Sequence, residues 1–181
     1  MLTLLVIRHG EKPGEAWPGP GLTSDGQPND KSLVIRGWQR TGAWAALFGA
    51  GFGGTEYPTP DAIYAANPAG SASRRPYETI TALAARLGIT PNMTYAQDQE
   101  EGLVKELLGL SGVVLVSWEH KMIVEGILPR LPISSGTPPT HWNSARYDVV
   151  LRLDRPDGAT GFAFRELFPM LLSGDSDEPL H

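Results

Sequence analysis

The chain has no cysteine among its 181 residues. Disulfides, thiolate metal sites and thiol nucleophiles are thereby excluded, and the absence fits a cytoplasmic protein. Positive charge is not in excess either. Fifteen Lys and Arg against 20 Asp and Glu leave a formal net charge of -5, which argues against nucleic-acid binding through a basic face. Long apolar runs are missing too. No stretch approaches the roughly 18 to 20 residues that span a bilayer. The amino-terminal MLTLLVIRHG lacks the basic segment and the run length of a secretory signal. The expectation is a cytoplasmic protein with neither membrane nor nucleic acid as partner. What is present is core material: 41 % of the residues are apolar, over a length that suits one domain spanning residues 1–181.

The nearly continuous apolar run Leu2 to Ile7 predicts a central parallel strand. Residues 12–35 are rich in Gly and Pro and predict a long loop, of the kind that covers a binding site. Periodicity predicts helices over 37–48 and 75–87, the second stopped by Gly88, and another around Leu103 to Leu108 closed by Gly109. Short apolar runs at 61–65 and 112–118 predict strands. A helix is expected over 120–131, with Pro129 weakening its last turn. Two strands, 147–153 and 160–167, flank the turn Arg155-Pro156-Asp157-Gly158, and residues 174–181 predict a frayed acidic tail. Strands alternating with helices imply a three-layer α/β/α sandwich around a mostly parallel sheet, with an antiparallel hairpin at one edge.

The first strand ends in Arg8-His9-Gly10-Glu11. Neutral imidazole is nucleophilic near pH 7 and its phosphorus–nitrogen bond hydrolyses readily, so His9 suits a phosphoryl acceptor. Arg8 supplies a permanent planar charge matched to phosphate oxygens. Gly10 permits a tight turn and close approach of a ligand. A transferring phosphoryl group spreads charge over three oxygens, so a second arginine is wanted. Arg75 stands at a loop–helix junction, followed by Pro76 in the first helical turn. His120, in SWEHK, follows the other apolar strand. Ligands gather at the carboxyl ends of parallel strands, which is where all of these residues fall.

With these segments in view the chain resembles the histidine phosphatase superfamily, which includes the cofactor-dependent phosphoglycerate mutases, and within it the small bacterial members. The resemblance rests on RHGEK, on GWQRTGAWAALF with Arg40 at a usually small position, on Arg75 with Thr79, on SWEH, and on FPMLLSGD. It implies a phosphoglycerate mutase-like fold. It also implies hydrolysis of a phosphomonoester or phosphoramidate through phosphohistidine at His9, with Arg8, Arg75 and His120 cradling the phosphoryl group and no cofactor or metal. The implied partner is a phosphorylated small molecule or a phosphohistidine peptide. The alternatives are mutase-type phosphoryl transfer, which requires extra helices over the site in a longer chain, and an inactive module that binds phosphorylated ligands.

The proton donor stays open among Glu11, Asp98, Glu100, Glu101 and Glu119. Strand alternation would turn Glu119 away from the face of His120 and place Glu11 on that of His9. Lys12, Lys31 and Arg36 are expected to meet an anionic substrate. Gly49 to Gly54 fits G-x-G-x-x-G but follows a helix, so it is read as a connection. His141 and His181 are read as surface residues, and the five tryptophans as core and edge.

Overall fold

The structure, a computed structural model, describes residues 1–14 and 16–181. In chain order it holds β1 (Leu2–Arg8), α1 (Ile35–Gly49), β2 (Ala62–Ala65), α2 (Arg75–Leu87), α3 (Glu100–Leu108), β3 (Gly112–Trp118), α4 (His120–Met122), β4 (Ile133–Ser135), β5 (Val150–Arg155) and β6 (Phe162–Leu167). The strands form one sheet in the order β2-β3-β1-β5-β6-β4. β1 pairs parallel with β3, and β3 with β2, while β5 is antiparallel to both β1 and β6. β4 joins β6 in parallel. Among the described residues, five of the six strands therefore share a direction, which is the mostly parallel sheet that the sequence predicts.

β1 is buried at every position because it has a neighbour on each edge and a layer on each face. Its alternation divides the core. Leu2, Leu4 and Val6 pack with Leu103, Val104, Leu107, Ile123 and Ile127. Leu5 and Ile7 face the opposite way, onto Trp44, Phe48, Ile80 and Leu83 of α1 and α2. Completely burying a leucine such as Leu83 is worth roughly 2 kcal/mol. α2 starts with proline in its first turn and ends at Gly88, whose φ of 66° closes the helix in the left-handed region.

Three expectations are corrected. The helix over 120–131 is broken: one short α-turn gives way to a π-helical stretch, Ile123–Ile127, and then a 3-10 turn, Leu128–Arg130. Pro129 has no N–H to extend an α ladder, and the Arg130 guanidinium bonds the Gly126 carbonyl at 2.7 Å. The strand expected from 147 begins at Val150, because the preceding residues leave the ladder and serve the site. The tail is not frayed. Asp175 accepts the N–H groups of Leu171 and Leu172, Ser176 donates its N–H to Asp148, and Leu180 is buried with its N–H on Glu166. Leucine and a shielded carboxylate tie down what composition alone reads as loose.

The 12–35 loop, outside residue 15, is anchored at its far end. Leu33 and Val34 are buried, and Glu78 of α2 accepts from the Ser32 hydroxyl and the Leu33 N–H at 2.7 and 3.0 Å. Among the described residues no helix is long and apolar enough to cross a membrane.

Candidate active site

His9 leaves the end of β1 with its N–H on the Trp118 carbonyl, 3.0 Å away, so the tips of the two central parallel strands are locked side by side. Its ring is buried, and Nδ1 lies 2.7 Å from the Gly10 carbonyl. A carbonyl can only accept, so Nδ1 carries the proton and Nε2 keeps a lone pair. Burial pushes the His9 pKa well below 6.5, and the charges of Arg8 and Arg75 push the same way. The ring is neutral at pH 7 and nucleophilic at Nε2.

Arg8 is completely buried. One terminal nitrogen, Nη1, donates to the carbonyls of Ser144 and Arg146 at 2.7 and 2.8 Å, and the guanidinium carbon lies 3.7 Å from the centre of the Tyr147 ring. Burial lowers its pKa to about 10, opposed by Tyr147, Glu119 and Glu11, so it remains a cation at neutral pH. Nε and Nη2 have no partner among the described residues. Leaving a buried donor unsatisfied costs roughly 1 to 3 kcal/mol, more when it is charged. Such nitrogens are suited in charge and planar geometry to an oxyanion.

Arg75 reaches the same place from α2. Its Nη1 bonds the Asp30 carbonyl at 3.1 Å while its buried Nε is unpartnered among the described residues. Thr79, one turn on, fixes the helix to the strand tip: its hydroxyl accepts the Gly10 N–H at 2.7 Å and donates to the Arg75 carbonyl at 2.7 Å. His120 opens α4 and is largely buried, with Nδ1 2.5 Å from Glu119 Oε1. Arg8, His9 and Arg75 all feel the charge of Glu119. Arg8, His9, Arg75 and His120 therefore gather at the carboxyl ends of the parallel strands.

The chain aligns with the solved structure of a mycobacterial glucosyl-3-phosphoglycerate phosphatase in complex with VO3. The alignment covers 91 % of this chain and 96 % of that one, with a TM-score of 0.53 and 16 % identity. The chain has the phosphoglycerate mutase-like fold. The native structure of the same phosphatase is also similar, at TM-score 0.49 and 16 % identity over 92 % of this chain and 97 % of that one. So is a structure named mycobacterial hydrolase 1, at TM-score 0.49 and 16 % identity over 91 % and 95 %. No protein-family model and no curated protein sequence matches the chain.

In this phosphoglycerate mutase-like fold the carboxylates near the strand tips are engaged in different ways. Glu11 is wholly buried and does not project towards a ligand. Arg40 grips it through Nε at 3.0 Å and Nη2 at 2.8 Å, and Arg40 also holds Asp175 at 2.7 Å. This is why an arginine stands at position 40. Glu100 accepts the Trp118 indole N–H at 2.8 Å and the Asp98 N–H at 3.2 Å. Glu101 is exposed on an outer groove with Lys105 and Arg130, and Asp98 is exposed as well. Glu119 does not turn away from His120, contrary to strand alternation, because β3 ends at Trp118. Its carboxylate caps α4 through the Met122 N–H at 3.1 Å. Burial would raise its pKa, but the hydrogen bond and charge of His120 and the N–H groups of Met122 and Lys121 hold it at about 2.

Of the three cations expected to meet a substrate, Lys12 lines a cleft of about 310 Å³ with Trp17, Ser144 and Tyr147. Lys31 is exposed on the loop. Arg36 is turned inward. Its guanidinium stacks over Trp17 at 4.6 Å, bonds the Ser173 carbonyl, and faces Glu11 at 3.6 Å and Asp175 at 3.8 Å. A second cleft, about 420 Å³, is lined by His120, Lys121, Glu125, His141 and Asn143, and meets the first at Ser144. His141 and His181 are exposed, as expected. Among the described residues no group of three or more His, Asp or Glu side chains is placed to hold a metal ion. Sequence reasoning missed Tyr147, whose ring centre lies 6.1 Å from that of His9. Its only signal is its place just before an apolar strand.

Proposed function

We propose that this chain is a histidine phosphatase that hydrolyses a phosphomonoester or phosphoramidate through a phosphohistidine on His9. One observation carries the reading: a neutral His9, tied through Nδ1 to the Gly10 carbonyl and acted on by the charges of Arg8 and Arg75, is accompanied by buried nitrogens of both arginines that have no acceptor among the described residues. His9 Nε2 attacks phosphorus as the ester oxygen departs. Arg8, Arg75 and His120 take the three non-bridging oxygens, where charge develops. Water then displaces Nε2 and releases phosphate. The shared fold with a phosphatase supports the reading without choosing the substrate.

The test is turnover of 4-nitrophenyl phosphate by the parent and by His9→Ala, with rapid acid-free quenching to trap a phosphorylated chain. Turnover and a trapped, acid-labile phosphoryl group in the parent, both missing from the variant, are expected. Equal turnover by His9→Ala overturns the phosphohistidine. Phosphate binding without turnover in the parent marks a binding module. Transfer of the phosphoryl group to an added phosphoglycerate in preference to water marks a mutase. A panel of phosphorylated metabolites and phosphohistidine peptides then identifies the substrate.

A further inference from the structure

The departing oxygen of an ester needs a proton, and the carboxylates around His9 are poorly suited to give one. Glu11 is enclosed by Arg40 and Arg36, Glu100 is engaged by an indole, Glu101 lies on an outer groove, and Asp98 is exposed. The charge of Glu119 acts on Arg8, His9 and Arg75 alike, and its neighbours keep it charged. An ionised carboxylate accepts a proton and cannot supply one.

Tyr147 has what they lack. Its ring lies over the Arg8 guanidinium at 3.7 Å and beside His9, and it lines the cleft shared with Lys12, Trp17 and Ser144. The Lys12 backbone N–H acts on the phenol oxygen. The ring is buried, and the Arg8 and Arg75 charges both act on it. We infer that the Tyr147 hydroxyl is the proton donor to the leaving-group oxygen; this rests on the phosphatase reading above.

Burial raises the phenol pKa and the charge of Glu11 acts the same way, so the proton is in place at neutral pH; Arg8, the Lys12 N–H and Arg75 pull the other way and favour the phenolate as it forms. In the first step the Nε2–P bond forms, the P–O bond breaks, and the phenol proton passes to the departing oxygen to give an alcohol. In the second, water attacks phosphorus, its proton returns to the phenolate, the N–P bond breaks, and His9 leaves neutral. No other reactant is consumed.

The test compares kcat/KM for phenyl phosphate and 4-nitrophenyl phosphate, a poor and a good leaving group, in the parent and in Tyr147→Phe. Phenylalanine keeps the ring over Arg8 and removes only the hydroxyl. A proton donor contributes about a hundredfold or more where the leaving group is poor, so the variant is expected to fall about a hundredfold further on phenyl phosphate than on 4-nitrophenyl phosphate. Equal falls on both esters, or no fall, overturn the inference. So does the selective loss appearing in Glu119→Gln or His120→Asn instead. Should Tyr147→Phe fail to fold, replacement of tyrosine by 3-fluorotyrosine serves, because it keeps the shape and lowers the phenol pKa. The basic limb of the phenyl phosphate profile must then move to lower pH, and an unmoved limb overturns the assignment. A parent inert towards both esters removes the phosphatase reading itself, whereas an active parent with an unselective variant removes only the role of Tyr147.

Discussion

At the scale of single residues, burial disfavours charge on both His9 and Arg40, and their neighbours decide the outcome in opposite ways. His9 is driven neutral by desolvation and by two arginines. Its folded pKa lies below its unfolded one, so the unfolded chain takes up a proton first as pH falls. The stability that the neutral ring contributes at pH 7 is lost progressively as pH drops below about 6.5. Urea unfolding at pH 5 and pH 7 should show a steeper acid loss in the parent than in His9→Gln, and parallel losses would show that the ring is not held neutral. Arg40, by contrast, is kept charged by two carboxylates in the interior. Arg40→Ala strands Glu11 without its closest cation. The expected cost is about 3 to 5 kcal/mol in denaturant unfolding, with much of it restored by adding Glu11→Gln. The gathering of Arg8, His9, Arg75 and His120 was legible in the sequence because each sits where an apolar strand ends or a loop meets a helix. The hold of Arg40 on both Glu11 and Asp175 was not legible, because Arg40 lies 135 residues from Asp175 and no local pattern links the three.

Among the elements, α1 and α2 place the site, and each does so through one close contact. Gly37 near the start of α1 lies against the backbone of Glu11: a Cβ there would stand 2.6 Å from the Glu11 carbonyl oxygen and 2.9 Å from its nitrogen. Gly37→Ala must push α1 off the strand tip, at an expected cost of about 1 to 3 kcal/mol by thermal or urea unfolding, together with reduced turnover. α2 is fixed through Thr79. Thr79→Val keeps the shape but removes the acceptor for the Gly10 N–H, a loss of roughly 1 to 3 kcal/mol. If Thr79 positions the reacting groups, kcat should fall more than KM rises. β1, α2 and β3 were readable, the two strands as continuous apolar runs and the helix by its periodic apolar stripe. β4 was not, since its three residues carry no period and it exists only by pairing with β6. Nor was the π-helical turn after α4, where the side chain of Glu100 lies against Gly126, a contact between distant segments.

The whole molecule is closed by its last residues. Asp175, Ser176, Glu178 and Leu180 are tied to Arg40, Asp148, Arg146 and Glu166. A chain ending at Ser173 loses one of the two carboxylates on Arg40 and uncovers the Leu180 site. A lower melting temperature and weaker phosphatase activity are expected in a thermal scan and a turnover assay, and unchanged values would make the segment dispensable. The layered architecture was legible from alternating strands and helices, whereas the anchoring of a short acidic segment depends on partners that the segment itself does not name. The position of β1 has a temporal consequence. It is made before both of its lateral neighbours, residues 112–118 and 150–155. On the ribosome the oily segment Leu2 to Ile7 must wait for most of the polypeptide before either edge is satisfied, so the interval of greatest vulnerability to aggregation falls during translation.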